Sequence, residues 1–162
     1  MSLEAHAVLE QLKRVDWAAL GVCHVLLIGS LAKRGRGRDV DLLVFPCGRR
    51  RLDLEELLRV VLAAADALRL DPSLVDVVDA ERAPCPLLVE AAKHHRIVYT
   101  ADRSALLDEF LRLLGICEDE EISARKLGVF EAAIEAAHRR WGGAGGPRKA
   151  LRGGGEVHGY AG

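Results

Sequence analysis

The chain has 162 residues, and 23 Lys and Arg against 24 Asp and Glu leave a formal net charge of −1 at pH 7. That length supports one domain with a real core and a helical appendage, with no room for a second catalytic lobe, and the charge balance excludes the global positive field of a general nucleic-acid binder. No stretch approaches the ~20 apolar residues of a membrane span, and Glu4 and Glu10 interrupt any secretory apolar run, so a soluble, cytoplasmic protein is expected.

In chain order, a helix is expected over about Ser2 to Arg14, followed by an aliphatic strand at Val22 to Ile28 that breaks at Gly29-Ser30. Lys33, Arg34, Arg36 and Arg38 then crowd what reads as a phosphate loop, with Gly35 and Gly37 between them. A glycine lets backbone N–H groups approach a phosphate, a serine hydroxyl donates to its oxygens, and the cations screen its charge.

A second strand, Val40 to Phe45, opens on Asp39-Val40-Asp41. Residues i and i+2 of a strand share a face about 6.6 Å apart, so the two carboxylates project together. Their repulsion is relieved by a hard cation, and Mg²⁺ takes one or two protein carboxylates together with substrate phosphates.

The next segment, about Leu52 to Leu68, repeats Leu54, Leu57, Leu58, Val61, Leu62, Ala65 and Leu68 at three and four, which predicts an amphipathic helix covering a sheet. Leu74 to Asp79 reads as a third strand with two more acids, Asp76 and Asp79. By parity only one of them can share a face with the Asp39/Asp41 pair. Asp76 is favoured because it lies within the run, and it would complete a three-carboxylate, two-metal cluster if the strands are neighbours.

A helix at about Pro84 to His95 and a strand at Arg96 to Thr100 complete a four-stranded α/β sheet with helices on one side and the acids on the exposed face. Two more helices are expected, Asp102 to Leu114 and Asp119 to Trp141, separated at Gly115. In the second, Ile122, Phe130, Ala133, Ile134, Ala137 and Trp141 form an apolar stripe suited equally to internal packing or to docking a partner. Residues 142–162 are glycine-rich and aperiodic, the composition of a flexible tail. The expected division is 1–100, 101–141 and 142–162.

Cys23, Cys47, Cys85 and Cys117 form no Cys-x-x-Cys, so neither a zinc site nor a disulfide framework is indicated and reduced thiols are expected. His24, inside the first strand, is expected to be packed or hydrogen-bonded rather than a ligand.

Strand, Gly-Ser, basic stretch, Asp-x-Asp on a second strand and a third acid on a later one together resemble the DNA polymerase β nucleotidyltransferase superfamily. Asp76 to Pro84, Pro86-Leu87-Leu88 and Arg96 to Tyr99 look like its minimal nucleotidyltransferase (MNT) branch, which accompanies HEPN-domain toxins, and the likeness runs from Val22 to about Thr100. The eight residues between Ser30 and Asp39 are fewer than in most HEPN-linked members.

The resemblance implies a polymerase β-like fold and transfer of a nucleoside monophosphate, commonly AMP from ATP, to a hydroxyl with pyrophosphate leaving. Carried over, Asp39, Asp41 and Asp76 would bind two Mg²⁺ ions, and Asp76 would also help activate the acceptor. Gly29 and Ser30 would hold the β- and γ-phosphates, with Lys33, Arg34 and Arg38 around them. A chain with no second lobe needs an acceptor that brings its own surface, which favours a protein partner of the HEPN type. The rivals are a module that neutralises its partner by docking alone and an RNA or small-molecule nucleotidyltransferase.

Overall fold

The computed structural model describes residues 2–120 and 124–140, with side-chain surroundings described outside 119–131. Contacts within the chain divide it into two compact units, Met1–Pro84 with His94–Ala101, and Cys85–Lys93 with the chain from Asp102 onward.

The first unit opens with a two-residue strand, β1 (Leu3–Glu4), and a helix, α1 (Ala5–Leu12), in place of one helix from Ser2. Leu3 and Glu4 are drawn into pairing with residues more than thirty positions away, which no local pattern announces. There follow β2 (Val22–Ile28), the short helix α2 (Gly29–Arg34), β3 (Arg36–Gly37) and β4 (Val40–Pro46). The segment read as a phosphate loop is therefore mostly helix. Leu31 and Ala32 are buried in it, and that burial overrides the glycine and charge content of a segment too short to show a period.

Helix α3 (Leu54–Leu68) starts at a capping box: the Asp53 side chain accepts from the Glu56 N–H at 2.8 Å, and the Glu56 carboxylate accepts from the Asp53 N–H at 2.9 Å. Arg50 adds a two-pronged ion pair to Glu56, at 3.0 and 2.7 Å. Strand β5 (Val75–Asp79) follows, and after α4 (Cys85–Lys93) comes β6 (Arg96–Thr100).

The strand order is β5-β4-β2-β6, with β2 antiparallel to both β4 and β6 and β4 parallel to β5. The two central strands alternate between two buried sets. Val25, Leu27, Val40, Leu42 and Val44 join Val8, Leu12, Trp17, Leu52, Val60 and Ala64 in one core. Leu26, Leu43 and Phe45, of opposite parity, are also fully buried. His24 shares their face: Nδ1 lies 2.8 Å from Thr100 Oγ1 and the ring meets Phe45 edge-on, so it is the packed, hydrogen-bonded residue expected.

The second unit is helical. Helix α5 (Arg103–Glu120) runs straight through Gly115, where a break was expected, and α6 (Ala124–Arg140) follows. A glycine inside a helix costs about 1 kcal/mol, and the burial of Leu113, Leu114 and Cys117 around it offsets more than that. Ala133 and Ala137 of the α6 stripe are buried and α6 packs on α4 and α5, the internal-packing alternative. Ile122, Trp141 and the tail lie outside the described residues.

The expectation of reduced thiols is overturned. Cys23 bonds to Cys47, and Cys85 to Cys117, with Cα separations of 5.0 and 5.6 Å. Sequence spacing hid both pairings. Cys23 sits where the β2–β4 register shifts, which turns it toward the residue just past β4, and α4 brings Cys85 against α5. Among the described residues no helix is long and apolar enough to cross a membrane.

Candidate functional site

The site is built where β2 ends and β4 and β5 begin. Ile28 is the register partner of Asp41, and Asp41 of Asp76, so the two acids stand side by side on neighbouring parallel strands, on one face of the sheet. Adjacent strands lie about 4.8 Å apart. Asp41 is half-buried, while Asp39, just before β4, and Asp76 are exposed.

Asp79 has a different fate. It pairs in register with the core residue Val44 and is only 2 % exposed. Its two oxygens accept from the Leu52 N–H at 2.8 Å and the Glu81 N–H at 2.9 Å. Both acceptor atoms are thus spent on fixing the entry to α3 and the turn after β5.

Burial pushes the Asp41 carboxyl above the usual aspartate range, and the neighbouring Asp76 and then Asp39 carboxylates push it further the same way. Repulsion between neighbouring carboxylates is relieved when a hard cation lies between them. No group of three or more His, Cys, Asp or Glu among the described residues stands ready to hold a metal. The arrangement fits a cation such as Mg²⁺ to the extent that such an ion needs only one or two protein carboxylates and completes its shell with water and phosphate oxygens.

Gly29 stands against this pair with φ +75°, and a Cβ there would collide with Asp41 Oδ2 and lie 3.2 Å from its Cγ. Only glycine combines that backbone conformation with that proximity. Gly29 and Ser30 are exposed at the start of α2, with Gly29 directly against Asp41.

The basic residues divide. Arg34 ends α2, Gly35 reverses the chain at φ +81°, and Arg36–Gly37 pairs with Leu3–Glu4. Arg34, Arg36 and Arg38 line an open recess of about 600 Å³ together with Ser2 and Gly37, and neither Gly29, Ser30 nor any of the three acids borders it. Lys33 is exposed on α2.

Two residues to which the sequence assigned no positioning role help to set this geometry. Arg96, at the start of β6, donates from Nε to the Ala32 carbonyl at 3.2 Å and so ties α2 to the sheet edge. Gly37 lies so close to Ser30 that a Cβ there would be 2.6 Å from Ser30 Oγ. A cation opening a strand and a glycine between two arginines were the available signals, and both are too common to have been read as positioning.

No protein-family model and no curated protein matches the sequence. Among solved structures, a chain of a toxin–antitoxin complex with AMP-PNP superposes with a TM-score of 0.50 at 18 % identity, covering 73 % of this chain and 92 % of the other. A mutant toxin–antitoxin MntA–HpeT complex gives a TM-score of 0.49, also at 18 % identity with the same coverage. A tri-AMPylated Shewanella oneidensis HEPN toxin in complex with MNT antitoxin gives 0.48 at 16 % identity, covering 72 % of this chain and 91 % of that one. The four-stranded mixed sheet with its helices is the fold of the matched chain from the complex with AMP-PNP.

Proposed function

We propose that the chain is a Mg²⁺-dependent nucleotidyltransferase that moves AMP from ATP to a hydroxyl of a HEPN-type protein partner, acting as that partner's antitoxin. The observation that carries this reading is the register pairing of Asp41 with Asp76, with Gly29 pressed against Asp41. The likeness in fold to a chain from a toxin–antitoxin complex with AMP-PNP is carried to this chain as part of the proposal.

Asp39, Asp41 and Asp76 would hold the cation, which when bound supplies charge neutralisation at the α-phosphate and the leaving oxygens. Gly29 and Ser30 hold the β- and γ-phosphates, and Lys33 adds positive charge beside them. The acceptor oxygen forms a bond to the α-phosphorus as the bond from that phosphorus to the bridging oxygen of the β-phosphate breaks. Pyrophosphate leaves with the electron pair, and the hydroxyl proton passes to Asp76. Most of the rate enhancement in such transfers is positioning and charge stabilisation, which suits a small sheet whose acceptor is delivered by another protein.

The test is calorimetric titration of Mg-ATP into the wild-type chain and Asp39→Asn/Asp41→Asn, with chelator as control, followed by mass spectrometry of a HEPN-type partner incubated with each. Metal-dependent binding and adenylylation, both lost in the variant, are expected. The lack of a ready three-carboxylate group among the described residues favours one rival, neutralisation by docking alone. Full neutralisation by the double variant would establish that rival.

A further inference from the structure

The recess of Ser2, Arg34, Arg36, Gly37 and Arg38 is separate from the carboxylates and from the Gly-Ser step, and it carries a charge that the rest of the chain does not explain. Three guanidinium-bearing residues fall within five positions of a chain whose net charge is −1. Among the described residues none of the three is in an ion pair. The carboxylate nearest in register is Glu4, opposite Arg36, and its side chain is turned to α1, where it accepts the Ala7 N–H at 3.2 Å.

The backbone holds this cluster in place. Ala5 N–H donates to the Gly35 carbonyl at 2.9 Å, and the β1–β3 pairing fixes the segment on both sides of it. Gly37 faces Ser30, and successive residues of an extended pair point to opposite sides, so Arg36 is directed away from the Gly-Ser step. Arg36 therefore does not close around the β- and γ-phosphates beside Ser30, and the recess that it lines with Arg34 and Arg38 does not border Ser30. The three arginines form a basic surface around that recess.

We propose that this recess is a phosphate-binding subsite, taking a phosphate group carried on a larger molecule. Arginine's planar fork matches phosphate oxygens in a bidentate manner, and three of them suit a dianionic or bridged phosphate better than a single carboxylate. A volume of about 600 Å³ far exceeds one phosphate and is of the size that admits a nucleotide unit. Because the recess does not border the Gly-Ser step that holds the nucleotide's own phosphates in the proposed reaction, the source that fits is a phosphate carried on the acceptor. The inference goes beyond the proposed transfer reaction, since anion binding here needs neither metal nor the acids.

The experiment is titration of inorganic pyrophosphate, in chelator, into the full chain, read by calorimetry, for wild type, Arg36→Ala/Arg38→Ala, Arg34→Ala and Asp39→Asn/Asp41→Asn. Expected are salt-sensitive binding by wild type and the aspartate variant, weakening of about tenfold or more in the double arginine variant, and a smaller loss in Arg34→Ala. Arg34 lies outside the β1–β3 pair, so its variant reports even if the double variant is misfolded. No binding by wild type, or equal binding by both arginine variants, overturns the proposal. Binding lost only in the aspartate variant overturns it too, by moving the anion to the carboxylate site. Repeated without chelator in saturating Mg-AMP-PNP, simultaneous binding of pyrophosphate is expected, and its displacement overturns the proposal by placing the anion in the nucleotide's own site. A failed nucleotide titration alongside bound pyrophosphate would sink the transferase reading and leave this one standing.

Discussion

Asp76 and Asp79 occupy the same five-residue strand, yet the surroundings of one suit a reaction site and those of the other a fold. Asp76 is exposed beside Asp41, whose carboxyl is pushed up first by burial and then by the Asp76 charge. Asp79 is buried with both oxygens accepting backbone N–H groups. The difference comes from parity and from partners. An acid that has its hydrogen bonds supplied by the backbone is structural, and one left facing another carboxylate is available for a ligand.

The strongest way to break this comparison is Asp79→Ala. It removes a buried carboxylate and strands the Leu52 and Glu81 N–H groups, so a loss of about 3 kcal/mol in denaturant unfolding is expected. A change under about 0.5 kcal/mol would mean that Asp79 is no more structural than a surface acid.

A smaller effect of opposite sign is expected from Asp41→Asn. The folded state raises this carboxyl's pKa, so its ionisation opposes folding. That penalty is absent at low pH, where the group is protonated in both states, and appears as pH rises through the unfolded value. At neutral pH the variant should melt slightly higher than wild type while losing nucleotide binding. A lower Tm would show that Asp41 has partners that stabilise its charge.

The least effect is expected on the Asp79 side of the molecule, at the start of α3. The Arg50 guanidinium and the Asp53 N–H hold the Glu56 carboxyl down at about 2. Its contribution is fully present above the ordinary carboxylate range and is lost as pH falls toward about 2. Glu56→Gln should flatten acid unfolding over that window, followed by circular dichroism against pH. An unchanged acid profile would remove the capping box from the account.

How much of this was legible beforehand follows from the same residues. Alternation along a strand put Asp39 and Asp41 together and allowed only one of Asp76 and Asp79 to join them, and the long repeat of α3 was clear. The sequence argued for Asp76 from its place in the run, but the reason, pairing of β5 with β4, is a tertiary fact. Helix α2 was missed because six residues carry too little period, and β1–β3 because two-residue strands carry none. Sequence order groups the arginines but cannot say on which side of β3 a side chain emerges. The cysteines were misread for the same reason: a separation of 24 or 32 positions says nothing about a Cα distance near 5 Å.

The Cys23–Cys47 bond has a topological consequence for the site. It closes a covalent ring that contains Gly29, Ser30, Lys33, Arg34, Arg38, Asp39 and Asp41, every candidate residue except Asp76. In the chain-entropy view a ring of that size restricts the unfolded chain by about 3.4 kcal/mol. An oxidised chain that has lost its structure therefore still carries the glycine and two of the acids in one tether, and rebuilding the site becomes a search for a single outside residue.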